Sequence, residues 1–224
     1  MSDNTLAEHL EAMAANPKPL GWHSVNLDGQ AIYPSKIVCV GRNYVEHIHE
    51  LNNEVPESMV LFLKPNSAIS TQLVAVLDEP LHYETELCFV YQGGRFSGVG
   101  VGLDLTKREL QSQLKGKGLP WERAKAFDGS AVFSEFVSLD TNLQDLHFSL
   151  YINDVVTQQG NIDLMIHKPA DILAQISQFM TLCDGDIVMT GTPKGVGEIP
   201  SSSVFYAEVY KHSQQIISAK WLVA

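Results

Sequence analysis

The sequence predicts an α+β fold with a strand-dominated core and few short helices. Its apolar runs are short and rich in β-branched residues, and turn-forming glycines and asparagines bound them, which is typical of strands. Stretches with helical spacing are few. With 224 residues, of which 45% are hydrophobic and 18% charged, the chain can form one domain with a full core and has the composition of a globular protein.

The first residues differ from the remainder of the chain. Residues 4–15 have apolar residues at a helical spacing, and prolines at positions 17 and 19 end this pattern. No internal repeat or low-complexity linker divides the chain after these prolines. We therefore predict a helical appendage over residues 1–19 and a single main domain over residues 20–224.

The first half of the main domain contains the clearest strand patterns. Residues 37–40 form a β-branched run that stops at a glycine, which suits a buried strand followed by a turn. Residues 84–91 read as another strand, and Gly93 with Gly94 predicts a hairpin turn after it. Residues 97–103 then alternate apolar residues with glycines, and glycine in a strand often marks a close approach of backbone or ligand.

Helix signals come after some of these strands. Asn43 is expected to cap a helix that runs through residue 51. Thr106 and Glu109 form a capping-box pattern for a helix that ends at about residue 114. The remaining predicted elements are a helix over residues 170–180, strands over residues 147–152 and 187–190, and two strands that close the chain.

Charge, cysteine content and hydropathy limit the partners and the compartment. The formal net charge is −11, and nucleic acid phosphates and anionic membranes repel a polyanion, so we expect neither as a partner. The cysteines Cys39, Cys88 and Cys183 have no pairing spacing, which indicates a reducing compartment. No run approaches the ~18 apolar residues of a membrane span, and the first twenty residues lack the apolar segment of a secretory signal. A cytoplasmic location is predicted.

Three carboxylates suggest a metal site. Glu84 and Glu86 are two apart in a predicted strand, so both side chains project to the same side of it. Asp104 ends the next predicted strand. Adjacent carboxylates repel one another unless a proton or a cation neutralises them, and oxygen ligands favour hard cations such as Mg²⁺, Mn²⁺ or Ca²⁺. The alternative is an exposed edge with solvated acids, where Asp104 only favours the start of the next helix.

Five segments, in this order, resemble the fumarylacetoacetate hydrolase family. The resemblance is to the branch that includes acylpyruvate hydrolases and oxaloacetate decarboxylases or tautomerases, and it covers roughly residues 20 to 224. Each motif is weak alone, but their shared order is specific. The segments are IVCVGRNY (37–44) with His47 following, HYETEL (82–87), LDLTKRELQ (103–111), GLPW (118–121) with KAFD (125–128), and GDIVMTGTPKGVG (185–197).

The resemblance implies a strand-rich mixed β-roll, a homodimer and a catalytic domain over residues 20–224. It also implies that Glu84, Glu86 and Asp104 hold one Mg²⁺ or Mn²⁺, with Ca²⁺ as a crystallographic substitute. One departure stands out, because Asp104 lies only 18 positions after Glu86. Relatives of this family usually carry a longer insertion there, and a tight hairpin replaces it here. The shortening puts the dimer contacts or the pocket rim in question more than the metal.

Candidate catalytic residues come partly from spacing and partly from the resemblance. His47 and Glu50 are three apart on a predicted helix and so share a face. By itself this is the pattern of a solvated pair. The resemblance implies instead that His47 is the general base and that Glu50 orients it. Lys125 follows a proline–tryptophan turn, where a cation can stabilise a carboxylate or a developing oxyanion, and its alternative is a surface lysine lying over Trp121.

Candidate substrate-binding residues lie on the helix after Asp104 and in a glycine-rich turn. Arg108 and Gln111 are three apart and can grip a second carboxylate or a distal carbonyl, although an ordinary exposed helix face has the same pattern. Thr192 lies in a turn with Gly195 and Gly197, where exposed N–H groups can form an anion nest, and its side chain can hydrogen-bond the substrate carboxylate. A tight structural turn is the alternative there.

The resemblance implies an enzyme that takes a small 2-oxo acid as substrate. The leading hypothesis is Mg²⁺-dependent hydrolysis of a C–C bond in acylpyruvate-type 2,4-dioxo acids, such as acetylpyruvate or fumarylpyruvate, through a metal-stabilised pyruvate enolate. Three alternatives remain open. They are an oxaloacetate decarboxylase or keto–enol tautomerase, a 2-hydroxyhepta-2,4-diene-1,7-dioate isomerase or decarboxylase, and a non-catalytic metal-dependent binding domain.

Overall fold

The computed structural model describes residues 21–51, 54–140 and 143–224. The appendage predicted for residues 1–19 lies outside the described residues. The helices are α1 (Val45–Glu50), α2 (Arg108–Gly116), α3 (Glu122–Lys125) and α4 (Pro169–Ser177), with 3₁₀ turns at Asn66–Ala68 and Ile162–Leu164. The strands are β1 (Val25–Leu27), β2 (Gln30–Ile32), β3 (Lys36–Gly41), β4 (Val60–Pro65), β5 (Ile69–Ser70), β6 (Leu81–Tyr83), β7 (Thr85–Gln92), β8 (Arg95–Asp104), β9 (Thr106–Lys107), β10 (Ala131–Phe133), β11 (Val137–Ser138), β12 (Leu146–Ile152), β13 (Val155–Asn161), β14 (Ile187–Met189), β15 (Gly197–Glu198), β16 (Val204–Lys211) and β17 (Gln214–Leu222).

Two larger sheets form the body of the domain. The first has the order β4-β3-β14-β7-β8-β10-β5, with β11 also pairing with β8, and the second has the order β13-β12-β16-β17. The first sheet is mixed, because β14 runs parallel to β3 while its other neighbour β7 is antiparallel. The prediction of a strand-rich α+β fold with few short helices is confirmed. Across the described ranges, no helix has the length and hydropathy needed to cross a membrane.

The core lies between the two larger sheets. Leu87 and Phe89 of β7 belong to the same buried cluster as Phe148 of β12 and Phe205 of β16. Fully burying one such side chain stabilises the fold by about 1.5–3 kcal/mol, so this layer fixes one sheet against the other. The opposite face of β7 and β3 carries Cys88 and Cys39 in a second buried cluster, where they act as small apolar residues.

The glycines of β8 allow aromatic side chains to approach the strand closely. A Cβ atom on Gly100 would lie 2.8 Å from the ring of Phe136, and one on Gly102 would lie 2.7 Å from the ring of Phe133. Distances this short are not tolerated, so larger residues would push both rings away. The close approach predicted for these glycines is therefore a contact between the backbone of β8 and two aromatic rings. This contact fixes the position of the strand that ends at Asp104.

The β7–β8 hairpin brings the candidate metal ligands together. Gly93 and Gly94 both have positive φ, 59° and 81°, in the predicted turn. The antiparallel register places Thr85 opposite Leu103 and Glu86 opposite Gly102. The start of β7 and the end of β8 are consequently adjacent.

The predicted cap at Asn43 is wrong. Helix α1 begins at Val45, and no side chain caps it. The Asn43 side chain instead donates to Thr190 O at 2.7 Å and accepts from His167 N at 2.7 Å. These tertiary partners hold the end of β3 beside the end of β14, and they outcompete the local cap.

The predicted capping box at Thr106 is also wrong. Thr106 lies in β9, and α2 begins two residues later. The carboxylate of Glu79 accepts from the backbone N–H groups of Glu109 and Leu110 and so takes the capping role. This leaves the Thr106 hydroxyl to face a buried lysine.

Candidate active site

Three buried carboxylates converge at the open end of the β7–β8 hairpin. Glu84 precedes β7, Glu86 lies on it, and Asp104 is the last residue of β8. Each can offer one oxygen so that the three oxygens lie within 4.8 Å of one another. All three side chains are buried, which excludes the alternative of an exposed edge with solvated acids.

The three carboxylates have unequal affinities for protons. Burial, together with the charges of Asp104 and Glu84, raises the pKa of Glu86 well above its usual range, although Gly191 N–H donates to it at 2.6 Å. Burial also tends to raise the pKa of Glu84, but Lys125 and Arg108 outweigh it and hold this pKa well below the usual range. Among the three candidate ligands, Glu86 is therefore the one for which a proton competes most strongly with a cation.

Lys125 lies between two of these carboxylates. Its ammonium donates to Glu84 Oε2 at 2.7 Å, to Asp104 Oδ2 at 2.6 Å and to Thr106 Oγ1 at 2.6 Å, which uses all three protons. The residue is only 2% exposed, so the alternative of a surface lysine is wrong. Burial lowers the pKa of Lys125, but Asp104 and Glu84 reverse this and raise it overall, which keeps the ammonium charged.

A second buried lysine, Lys64, contacts Lys125 and Asp104, and it was not identified from the sequence. Lys64 is 0% exposed and donates to the backbone carbonyl of Lys125. Its ammonium is 2.8 Å from Asp104 Oδ1 but is not oriented to donate, so this buried oxygen accepts no hydrogen bond. The local sequence carries no signal for this role, because Lys64 comes directly after the apolar residues of β4 and before Pro65, as a lysine at the start of a turn does.

The donor set fits a hard divalent cation. Glu84, Glu86 and Asp104 supply carboxylate oxygens, which Mg²⁺ and Mn²⁺ prefer over nitrogen or sulfur ligands. The buried Asp104 Oδ1 has unused acceptor capacity, and the pKa of Glu86 is raised by burial and by the neighbouring charges of Asp104 and Glu84. These three residues would hold the ion.

His47 and Glu50 lie on one face of α1, beside the carboxylates. His47 Nδ1 is 3.3 Å from Glu50 Oε2, and His47 is 5% exposed. Glu50 also accepts from Gly195 N at 2.9 Å, so it is fixed between the helix and the glycine-rich turn. A partner on Nδ1 leaves Nε2 as the nitrogen that can exchange a proton with a ligand.

Arg108 and Gln111 reach the site from α2, but protein groups already engage them. Arg108 donates to Gln111 Oε1 at 2.8 Å and forms an ion pair with Glu84. Its Nε is buried and has no acceptor. The exposed-face alternative is wrong for Gln111, which is buried. The predicted grip on a second carboxylate stays a prediction for both residues.

Thr192 lies in the turn after β14. Side chains from other parts of the chain contact this turn and fix its conformation. Gly191 has φ 95°, and a Cβ atom there would lie 2.8 Å from Asn43 Cβ, so only glycine fits. Gln158 of β13 donates to Thr192 Oγ1 at 2.8 Å. Sequence reasoning did not identify Gln158, because its contacts lie in a different sheet.

A cavity of about 40 Å³ joins the candidate residues. It is lined by every predicted site residue except Glu50, which lies behind His47. Two cationic residues without a predicted role, Arg42 and Lys115, line it as well. An apolar cavity of about 590 Å³ adjoins it and shares Phe62, Trp121 and Lys125 with it.

The chain is similar to known proteins in sequence and in fold. A family model described as fumarylacetoacetate (FAA) hydrolase C-terminal matches residues 36–219. Oxaloacetate tautomerase YcgM of Escherichia coli is 39% identical over 211 residues, covering 86% of this chain and 94% of that protein. The mitochondrial oxaloacetate tautomerase FAHD1 of Bos taurus is 37% identical over 192 residues, covering 78% and 86%. The structure of fumarylpyruvate hydrolase from Pseudomonas aeruginosa in complex with Mn²⁺ and pyruvate has a TM-score of 0.79 at 29% identity, covering 92% of this chain and 98% of that chain.

These matches confirm three predictions made from the sequence: the family, the strand-rich roll and the assignment as an enzyme of the metal-dependent hydrolase, decarboxylase or isomerase type. The alternative of a non-catalytic binding domain is set aside on the same grounds. The chain belongs to the fumarylacetoacetate hydrolase family.

Proposed function

We propose that the protein interconverts the keto and enol forms of oxaloacetate, with Mg²⁺ held by Glu84, Glu86 and Asp104. The charge of the small cavity carries this proposal. Arg42, Arg108, Lys115 and Lys125 line it with the three carboxylates, so its lining is net positive in a protein whose net charge is −11. A divalent cation increases this surplus of positive charge. A dianionic 2-oxo acid neutralises more of the surplus than a monoanion does.

Different residues of the cavity contact different groups of the substrate. Thr192 donates to the C1 carboxylate, and Arg42 and Lys115 face the distal carboxylate. Lys125 stabilises negative charge at the C2 oxygen through its own charge and not through a hydrogen bond, because its raised pKa keeps it protonated while its three protons are already bound. When bound, the divalent cation supplies a Lewis acid for the C2 carbonyl. The relatives named oxaloacetate tautomerases support this substrate class.

His47 and Glu50 together transfer the proton between C3 and the C2 oxygen of the substrate. His47 Nε2 takes a proton from C3 as the C2–C3 double bond forms, and the same imidazole then gives this proton to the C2 oxygen to complete the enol. Glu50 accepts from Nδ1 and stabilises the charged imidazole while it holds that proton. The reverse sequence returns the keto form, so no water needs to be activated and no second product forms.

Hydrolysis of acylpyruvates is the second candidate, and the larger cavity favours it. That cavity, of about 590 Å³, is lined by Phe62 and Trp121 and opens beside Lys125, so an apolar acyl group can lie there. His47 would then take a proton from water instead of from C3. The likeness to fumarylpyruvate hydrolase supports this second candidate.

The test compares three reactions of purified protein with Mg²⁺ and with EDTA. Enol-oxaloacetate and acetylpyruvate are each followed by their enol absorbance, and pyruvate is measured with a coupled dehydrogenase. The proposal expects EDTA-sensitive loss of enol-oxaloacetate without pyruvate. Pyruvate from oxaloacetate would reassign the enzyme as a decarboxylase, and pyruvate from acetylpyruvate would favour the hydrolase. His47→Ala should abolish the leading activity, and His49→Ala, an exposed neighbour on α1, is the matched control.

Three further properties of the protein stay predictions. Mg²⁺ is proposed as the resident metal, with Mn²⁺ as a substitute that the site also accepts. The homodimer is tested by light scattering of the purified protein. The cytoplasmic location is tested by fractionation of cells that express the chain.

A further inference from the structure

Gln158 connects the candidate metal site to the glycine-rich turn. It lies on β13, in the second sheet, and is 1% exposed. Its side chain reaches Thr85 of β7 and Thr192 after β14, which belong to the first sheet and the turn that follows it. We infer that Gln158 is a positioning residue that fixes the direction in which the Thr192 hydroxyl donates. This inference rests on the proposed function, in which Thr192 donates to the substrate carboxylate.

The contacts of Gln158 define the orientation of its amide. Gln158 Oε1 accepts from Thr85 N at 3.0 Å, and Thr85 lies between the ligands Glu84 and Glu86. Gln158 Nε2 donates to Thr192 Oγ1 at 2.8 Å and to Pro193 O at 2.9 Å. If the amide were flipped, Nε2 would face the Thr85 N–H and Oε1 would face the Pro193 carbonyl. Only one orientation therefore satisfies these partners.

The amide therefore determines where the Thr192 proton points. Because Gln158 Nε2 donates into Thr192 Oγ1, a lone pair of that oxygen is used and its own proton must point elsewhere. The contact from Thr192 Oγ1 to Pro193 O is 3.4 Å, which is long for an O–H···O bond. Thr192 lines the small cavity, so the proton is directed to a ligand oxygen there.

Replacing Gln158 with glutamate isolates this effect. The carboxylate has the same shape and can still accept from Thr85 N, but it cannot donate to Thr192. The hydroxyl then donates to the carboxylate and no longer to the ligand. Loss of a hydrogen bond to a charged group should weaken pyruvate binding by roughly 10- to 100-fold and raise KM by a similar factor, with kcat changed by less than about threefold.

The experiment measures pyruvate binding in the presence of Mn²⁺ by Trp fluorescence, because Trp121 lines the same cavity. The variants are Gln158→Glu, Thr192→Val and their combination. Gln159→Glu is the matched control, since it makes the same change on the exposed face of the same strand. The inference expects the double variant to bind no more weakly than Thr192→Val alone, and Thr192→Ser to retain wild-type affinity.

Two results separate the inference from the proposed function. If Thr192→Val binds pyruvate as well as the wild type, the substrate role of Thr192 fails and the inference fails with it. If Thr192→Val weakens binding but Gln158→Glu does not, or if their effects add, only the inference is overturned. Should Gln158→Glu not fold, Gln158→Met lacks the same donor and enters the same comparison with Thr192→Val.

Discussion

Replacing Lys125 with methionine tests whether its ammonium is the internal counter-ion of the candidate metal site. The ammonium is buried and donates three hydrogen bonds, two of them to carboxylates. Removing one partner of a buried ion pair costs about 3–5 kcal/mol, because it leaves an uncompensated charge. Lys64 and Arg108 remain beside Asp104 and Glu84, so we expect the lower value, about 3 kcal/mol of unfolding free energy.

The measurement is thermal unfolding with EDTA and with Mn²⁺. A loss of about 3 kcal/mol should lower Tm by roughly 6–12 °C in the metal-free protein, at about 2–4 °C per kcal/mol for a domain of this size. A divalent cation replaces the lost positive charge, so Mn²⁺ should raise Tm more in Lys125→Met than in the wild type. Lys117→Met, at an exposed position directly after α2, is the control. Equal effects of Mn²⁺ on both proteins, or an unchanged Tm in EDTA, would refute the reasoning.

The site supports three other predictions. Because the pKa of Glu86 is raised, a proton competes with the metal for this carboxyl, so Mn²⁺ affinity should fall as pH falls. Calorimetry over a pH series in two buffers with different ionisation enthalpies should show proton release, which Glu86→Gln abolishes; equal heats in both buffers at every pH after dilution correction would contradict this. His47→Ala should lower turnover of enol-oxaloacetate by roughly 10²- to 10⁴-fold, whereas an effect below tenfold would remove His47 as the base. Lys115→Met should raise KM for oxaloacetate about tenfold and leave KM for acetylpyruvate within about twofold, in steady-state assays; parallel changes for both substrates would argue against a distal-carboxylate contact.

The fold class and the carboxylate cluster could be predicted because their signals are local. The apolar run over residues 87–91, a glycine pair and the strand pattern over residues 97–103 are enough to predict a hairpin. Once that hairpin exists, Glu86 and Asp104 must lie at the same end of it. The tight hairpin that stands in place of the usual insertion leaves this geometry intact.

Residues that act across sheets could not be found in this way. Gln158 contacts Thr85, 73 positions away, and Lys64 contacts Lys125, 61 positions away. Nothing in the local sequence of either residue indicates such a partner. The same reason explains the wrong cap at Asn43, whose side chain pairs with Thr190 at a separation of 147 positions. Local propensity is overridden where a tertiary partner satisfies the side chain better.

Two of the four cationic residues that line the cavity, Arg42 and Lys115, were missed for a different reason. Arg42 has φ 55°, an uncommon conformation for a residue other than glycine, and it comes directly after β3. This turn of the backbone puts Arg42 on the wall of the cavity, and no sequence pattern predicts it. Lys115 lies near the end of α2, where a lysine is ordinary on helix-dipole grounds alone.

The most direct test of the proposed metal site is the rate of enol-oxaloacetate ketonisation by the wild type and by Asp104→Asn, each with EDTA and with added Mg²⁺, alongside bound metal measured by equilibrium dialysis. We predict that EDTA stops the wild-type reaction, that Mg²⁺ restores it, and that Asp104→Asn neither retains the metal nor turns over the substrate. Full turnover in EDTA, or by an Asp104→Asn protein without bound metal, would contradict the claim that the three carboxylates hold the catalytic cation.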